Sequence, residues 1–184
     1  MVWQMPQFPV EISWTEGEYK PTDIIFEKRD PSGSPMSATV IIESPSKVIF
    51  RTTNIKRIYV DFEGLMKFCN IPEYLVSQAL RYVRDYVDHI DIVVSDSGTL
   101  EFEAKIPSDW MLVDVLLNGS PVDFTLTDNT IKVAVSLSEA TITFKLQPTM
   151  VQQTYNIINL LLAIMVIMII SSFAVITVKV FRRR

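Results

Sequence analysis

A β-rich α+β ectodomain, with antiparallel strands, one amphipathic helix and a membrane-proximal β-sandwich-like meander, ahead of one C-terminal transmembrane helix is the fold class this sequence predicts. Three patterns predict it. Short runs of alternating apolar and polar residues recur between Phe8 and Leu146. One amphipathic helical segment follows Pro72. A block from Ile157 to Val178 is apolar apart from Asn159, Ser171, Ser172 and Thr177. The expected division is an α+β module over residues 1–107, an antiparallel β module over 108–147, a linker at 148–156, the span at 157–180 and a basic tail at 181–184. A single continuous domain over 1–147 fits the composition nearly as well.

The elements follow from local pattern. "FPVEISW" places Phe8, Val10, Ile12 and Trp14 on one face, as a half-buried strand requires. "DIIFE" reads as a second strand, followed by the turn-rich "RDPSGSP". "SATVIIE" and "KVIFRT" flank Ser44-Pro45-Ser46, a hairpin connection, and "RIYVDF" alternates again. A helical turn is expected at "EGLMKFC". Asn70 then serves as the cap, and Pro72 as a first-turn residue, of a helix continuing through "EYLVSQALRYVRDYVDHI". Val76, Ala79, Leu80, Val83, Val87 and Ile90 form its apolar stripe, while Glu73, Ser77, Arg81, Arg84, Asp85 and Asp88 take the other face. "DIVV" and "TLEFEAKI" resume strands, the latter with Leu100, Phe102, Ala104 and Ile106 opposite Glu101, Glu103 and Lys105.

From Met111 to Leu146 four alternating runs are separated by Asn118-Gly119, Asp128-Asn129 and Ser136–Glu139. "NG" and "DN" between apolar alternations signal hairpins. Val113, Val115 and Leu117 match Val122, Phe124 and Leu126, and Ile131, Val133 and Val135 match Ile142, Phe144 and Leu146. The segment resembles the closing hairpins of immunoglobulin-like β-sandwich modules. It has no Cys…Trp…Cys framework, and no family is assigned from it.

As a helix the block from Ile157 to Val178 would be roughly 33 Å long, against a hydrocarbon core near 30 Å. Lys179, Arg182, Arg183 and Arg184 follow it, whereas the preceding "FKLQPTMVQQTYN" holds one cation, Lys145. The bias of cations toward the cytoplasmic side orients the chain with its tail in the cytoplasm and its folded part outside, at a cell surface or on a virion. Tyr155 and Phe181 bracket the span at interfacial depth. "MVWQMPQFPVEISW" does not read as a signal peptide, since Pro6, Pro9 and Glu11 interrupt any apolar core. Export driven by the anchor, tail-anchoring with a cytosolic domain, and residence in a virion membrane each accommodate that.

Charge and composition narrow the function classes. The chain has 17 basic and 21 acidic residues; without the four tail cations the balance is 13 against 21, or −8. Such a domain repels phosphate backbones, which argues against nucleic-acid partners. The single cysteine, Cys69, excludes an intramolecular disulfide. No two of the five glycines are close enough for a phosphate-cradling loop, no CxxC occurs, and no cofactor is expected.

Candidate chemistry is sparse. His89 with Asp85 would make a metal or proton site, against the alternative of a histidine at a helix C-terminus. Cys69 would be a nucleophile only beside His89, and otherwise a buried thiol. Glu101 and Glu103 lie about 7 Å apart on one strand face, a spacing within reach of a glycosidase pair, yet Lys105 continues that face as on a wet surface. Asn118-Gly119-Ser120 matches a glycosylation sequon, disfavoured by Pro121 and by the turn role of "NG". The interface candidates are Trp3, Phe8, Trp14 and Tyr19 near the N-terminus, with Tyr74, Tyr82 and Tyr86 beside the helix stripe. Within the span, Asn159, Ala163, Ser171, Ser172 and Ala174 offer small or hydrogen-bonding side chains for another helix.

The expected function is that of a single-pass, non-enzymatic structural or accessory subunit. Its partners would be other membrane or surface proteins, the lipid bilayer and further copies of itself. Two alternatives are a virion membrane protein linking capsid or lattice to lipid, and a membrane-anchored hydrolase.

Overall fold

The computed structural model describes residues 6–18, 24–96, 98–136 and 139–181, and for residues 125, 151–152 and 169–181 the backbone alone. The chain forms two compact units, Met1–Pro148 and Thr149–Arg184.

The first unit is a β-rich α+β fold of two mixed sheets and two helices. Its elements run β1 (Val10–Thr15), β2 (Ile24–Lys28), β3 (Ser37–Ser44), β4 (Lys47–Thr53), β5 (Ile55–Asp61), α1 (Phe62–Phe68) and α2 (Glu73–Tyr86). They continue with β6 (His89–Ser95), β7 (Leu100–Lys105), β8 (Leu112–Leu117), β9 (Ser120–Pro121), β10 (Thr125–Thr127), β11 (Thr130–Val135) and β12 (Glu139–Leu146). One sheet has the order β1-β3-β4-β6-β12-β8-β9 and the other β10-β11-β7-β5-β2. Each contains one parallel pair, β4 with β6 and β5 with β7, among antiparallel neighbours. The parallel pairs need the long crossover that α1 and α2 occupy.

The inner faces meet through side chains fixed by strand alternation. Phe50 of β4 meets Phe102 of β7 edge-on at 5.7 Å, and both are fully buried. Phe62 of α1 packs on Phe144 of β12 at 6.5 Å and on Trp110 at 5.3 Å. α1 starts where the Asp61 carboxylate accepts the Glu63 N–H at 3.0 Å, a side-chain cap for an otherwise orphaned donor.

Four expectations are corrected. Asn70 does not cap α2. It stands in the left-handed region at φ 58 and donates its N–H to the Lys67 carbonyl, ending α1, while Pro72 precedes α2 with no side-chain cap. The second correction concerns the end of α2 at Tyr86. Val87 is extended, and His89–Ser95 is a strand whose Ile90, Ile92 and Val94 are buried. Val87 and Ile90 fit a helical stripe, but Ile90, Ile92 and Val94 also fit period two, and the slot between β4 and β12 decides the matter. Thirdly, Asp85 is buried rather than on the wet face.

The fourth correction concerns pairing in the last third of the chain. β11 pairs with β7, from Ile131↔Ala104 to Val135↔Leu100, not with β12. β12 lies between β6 and β8 in the other sheet. Each sheet therefore joins a block of strands from residues 1–107 to a block from 108–147, through β6 with β12 in one and β7 with β11 in the other. The "NG" and "DN" turns are present, closing β8 on the two-residue β9 and β10 on β11. Asn118, Asp128 and Asn129 take positive φ there, as turns of this kind require. A register break between Lys145 and Leu146 turns Val113 outward, 61% exposed, although Val115 is fully buried.

The second unit is α3 (Thr149–Phe181). From Ile157 to Met168 every residue is exposed. Among the described residues no helix is long and apolar enough to cross a membrane. The side chains of α3 are described no further than Met168, whereas the apolar run of the sequence continues to Val178.

Candidate functional site

One cleft, about 620 Å³, lies where α2 faces the ends of β5 and β7. Helical spacing brings Ser77, Leu80, Arg81 and Arg84 to one wall, and Asp61, Lys105, Ile106 and Asp109 come from the strands and the loop after β7. Its cations are engaged. Arg84 holds the Asp85 carboxylate through Nε at 2.8 Å and Nη2 at 3.2 Å, and reaches Asp109 through Nη1 at 3.0 Å. Lys105 Nζ is 3.2 Å from Asp61, and Arg81 is 3.6 Å from Asp85. The hydrogen bond from Arg84 holds the Asp85 carboxyl below the usual carboxylate range, against the opposing effect of burial. An anion entering this cleft would have to compete with carboxylates already in place.

A second cleft, about 540 Å³, lies on the outer face of the five-stranded sheet. Ile25, Arg57, Tyr59, Glu103, Thr130 and Lys132 line it, one or two side chains from each of four neighbouring strands. Glu103, expected on a wet surface, is 3% exposed. Arg57 Nε lies 3.2 Å and Lys132 Nζ 2.5 Å from its Oε1, so two half-exposed cations cover one buried carboxylate. Glu101, two residues earlier, is exposed. The two carboxyls share a face but not an environment, and Glu103 is held as a structural ion pair.

The remaining titratable candidates are dispersed. His89 Nδ1 lies 2.6 Å from Asp88 rather than beside Asp85, in a surface pair that holds Asp88 below its usual range. Cys69 is buried, and desolvation pushes its thiol up to about 12, the opposite of what a nucleophile needs. Among the described residues no three His, Cys, Asp or Glu side chains gather as a metal site. The Asn118 side-chain carbonyl accepts the Thr141 N–H at 2.8 Å, which ties the turn to β12.

Two polar clusters were not read from the sequence. Arg29 donates to Asp96 at 2.7 Å and to the carbonyls of Ile55 and Thr99, and Asp96, 7% exposed, also accepts from Thr52 at 2.7 Å. The cleft residues Arg81, Arg84 and Lys105 were the other. A sequence signal exists only for the first two, as cations one turn apart on a helix.

Of the interface candidates, Trp14 is 5% exposed and stacks on Phe26 at 5.1 Å, with its indole N–H donated to the Glu18 carbonyl. Phe8 is half-buried against the core. Trp3 and Tyr19 lie outside the described residues. Tyr74 and Tyr86 are exposed, and Tyr82 lies 5.6 Å from Tyr86. On α3, Tyr155 is 64% exposed, and Asn159 and Ala163 are exposed too. Ser171, Ser172, Ala174, Lys179 and Phe181 belong to its backbone with side chains outside the description, as are Arg182, Arg183 and Arg184 altogether. No protein-family model, curated protein or solved structure matches this chain.

Proposed function

We infer that this chain is a single-pass, membrane-anchored, non-enzymatic structural or accessory subunit of a membrane or surface assembly, acting through protein–protein contacts. One observation carries the reading. Ten large apolar side chains between Ile157 and Met168 are at least 43% exposed, on every side of α3. A helix apolar all round needs an apolar surrounding. At about 1.5–3 kcal/mol per side chain, leaving these in water would cost roughly 15–30 kcal/mol. That exceeds the ~5–15 kcal/mol by which domains are stable, so lipid or a partner must cover them. The tail cations Lys179, Arg182, Arg183 and Arg184 favour a cytoplasmic C-terminus and an exterior domain.

Binding rather than catalysis is the favoured mode because the groups that chemistry would recruit are otherwise engaged. Cys69 is held as a thiol, Glu103 is neutralised by Arg57 and Lys132, and His89 pairs with Asp88 on the surface. The test is purification of the full chain in mild detergent with identification of what co-purifies, beside protease treatment of sealed vesicles. Stable partners, and digestion of the domain only from the exterior face, are expected. Digestion from the cytoplasmic face alone would reverse the orientation, and release by alkaline carbonate would remove the anchor.

A further inference from the structure

Among the described residues four strands lie at sheet edges, and three of them are blunted. β9 has two residues and ends in Pro121, β10 has three, and the register of β2 breaks between Glu27 and Lys28. Such devices keep an edge from accepting a further strand. β1 has six residues with neither a proline nor a break in its register with β3. Glu16 donates its N–H to the Met36 carbonyl at 2.8 Å. Alternation therefore turns the backbone groups of Val10, Ile12 and Trp14 toward β3, and those of Glu11, Ser13 and Thr15 outward. Thr15 is closed, because its N–H goes to the Glu18 carboxylate at 2.7 Å and its carbonyl accepts the Glu18 N–H at 3.1 Å. What remains is one N–H and one carbonyl on each of Glu11 and Ser13, with no strand beside them among the described residues.

We propose that β1 pairs antiparallel with β1 of a second copy of this chain, about a two-fold axis at Ile12, so that one sheet continues across both molecules. The proposal rests on the reading that the chain acts through protein–protein contacts, and it asks nothing of α3. In that register Glu11 and Ser13 of each copy lie opposite Ser13 and Glu11 of the other, and every open N–H meets an open carbonyl. The neighbouring registers fail. An axis at Glu11 sets like charges face to face, and sets Ser13 against Pro9, which has no N–H. An axis at Ser13 sets Glu11 against Thr15, whose groups are taken. This self-complementarity selects a second copy over an unrelated strand. On the inner side Ile12 meets Ile12 and Val10 meets Trp14, extending a core against which Val10 and Ile12 are packed only in part. On the outer side Glu11 stands beside Ser13 and diagonal to the other Glu11, in water. The nearby charges are already matched: Glu16 to Lys28 at 3.0 Å, Glu43 to Lys47 at 2.7 Å, and Glu18 to the Thr15 N–H.

The experiment uses the full chain in mild detergent, with protein mass read by light scattering and corrected for bound detergent. Ile12→Cys and Tyr74→Cys are oxidised with copper phenanthroline. Across the axis, position 12 is a non-hydrogen-bonded pair with Cα atoms about 4.5 Å apart, within disulfide reach. Tyr74 is an exposed control on α2, and Cys69 is buried. Ser13→Pro removes an outward N–H and leaves the ladder to β3 intact. Expected are twice the mass of a single chain, a covalent dimer through position 12 and none through 74. Ser13→Pro should lose the dimer while keeping its thermal midpoint. A single-chain mass with no link at position 12 would overturn the proposal. A doubled mass without that link would place the contact elsewhere and overturn it too, and this arm decides even where Ser13→Pro does not fold. A different protein released by Ser13→Pro, again with no link at 12, would give the edge to that partner and overturn the second copy. Membrane retention and co-purifying proteins are read separately, so failure here leaves the anchor and the accessory role standing.

Discussion

At the scale of single residues, burial decides chemistry. Cys69 has its thiol pushed from 9.0 to about 12, so its thiolate fraction at pH 8 falls roughly a thousandfold. Iodoacetamide should label the native chain about that much more slowly than the urea-unfolded chain, and rapid native labelling would refute the packed position. Asp85 behaves in the opposite sense. Its folded pKa is lowered, chiefly by Arg84, so its contribution to stability is complete above the unfolded value near 3.8 and is lost as pH falls through the lower folded value. Asp85→Asn should cost about 1–3 kcal/mol at pH 7 in urea melts and flatten the loss of stability below pH 4. An unchanged acid limb would show that Arg84 does not act there. Glu103 marks the limit of what was legible. Alternation showed its side of the strand, but its cover comes from Arg57 and Lys132, on strands 46 and 29 residues away in sequence.

At the scale of elements, two signals competed at each misread boundary. Asn70 followed by Pro72 looks like a helix start, yet the same asparagine suits the left-handed residue that ends the helix before it. The two roles predict different mutants. Asn70→Ser retains a good cap but forces an ordinary residue into positive φ, at a cost of about 1 kcal/mol. Asn70→Gly should be near neutral or mildly stabilising, because glycine takes that conformation without strain. The order of thermal midpoints, glycine above serine, checks this, and the reverse order would restore the cap. Strands β1 to β5 and β7 were legible because alternation and turn residues agreed. The start of β6 was not, because Ile90 satisfies both periodicities, helical spacing from Val87 and period two with Ile92 and Val94, until neighbouring strands choose.

At the scale of the whole molecule, sheet order is set by pairings that no local pattern records. Adjacency in the chain pairs β11 with β12, yet the structure sends them to different sheets. A fragment ending at residue 107 would therefore leave β6 without β12 and β7 without β11. Circular dichroism should find it largely unfolded, whereas residues 1–148 should melt in one cooperative transition. A fragment 1–107 with a sharp melt of its own would argue for two modules after all. The same topology governs how the molecule bears force. β12 is the strand that continues toward α3, and it lies inside its sheet, hydrogen-bonded to β6 along one edge and β8 along the other. Stripping that strand from the domain breaks both rows of bonds, whatever the direction of the pull. An edge strand would come away with one row of bonds, so the chain leaves this unit by a strand that gives way late.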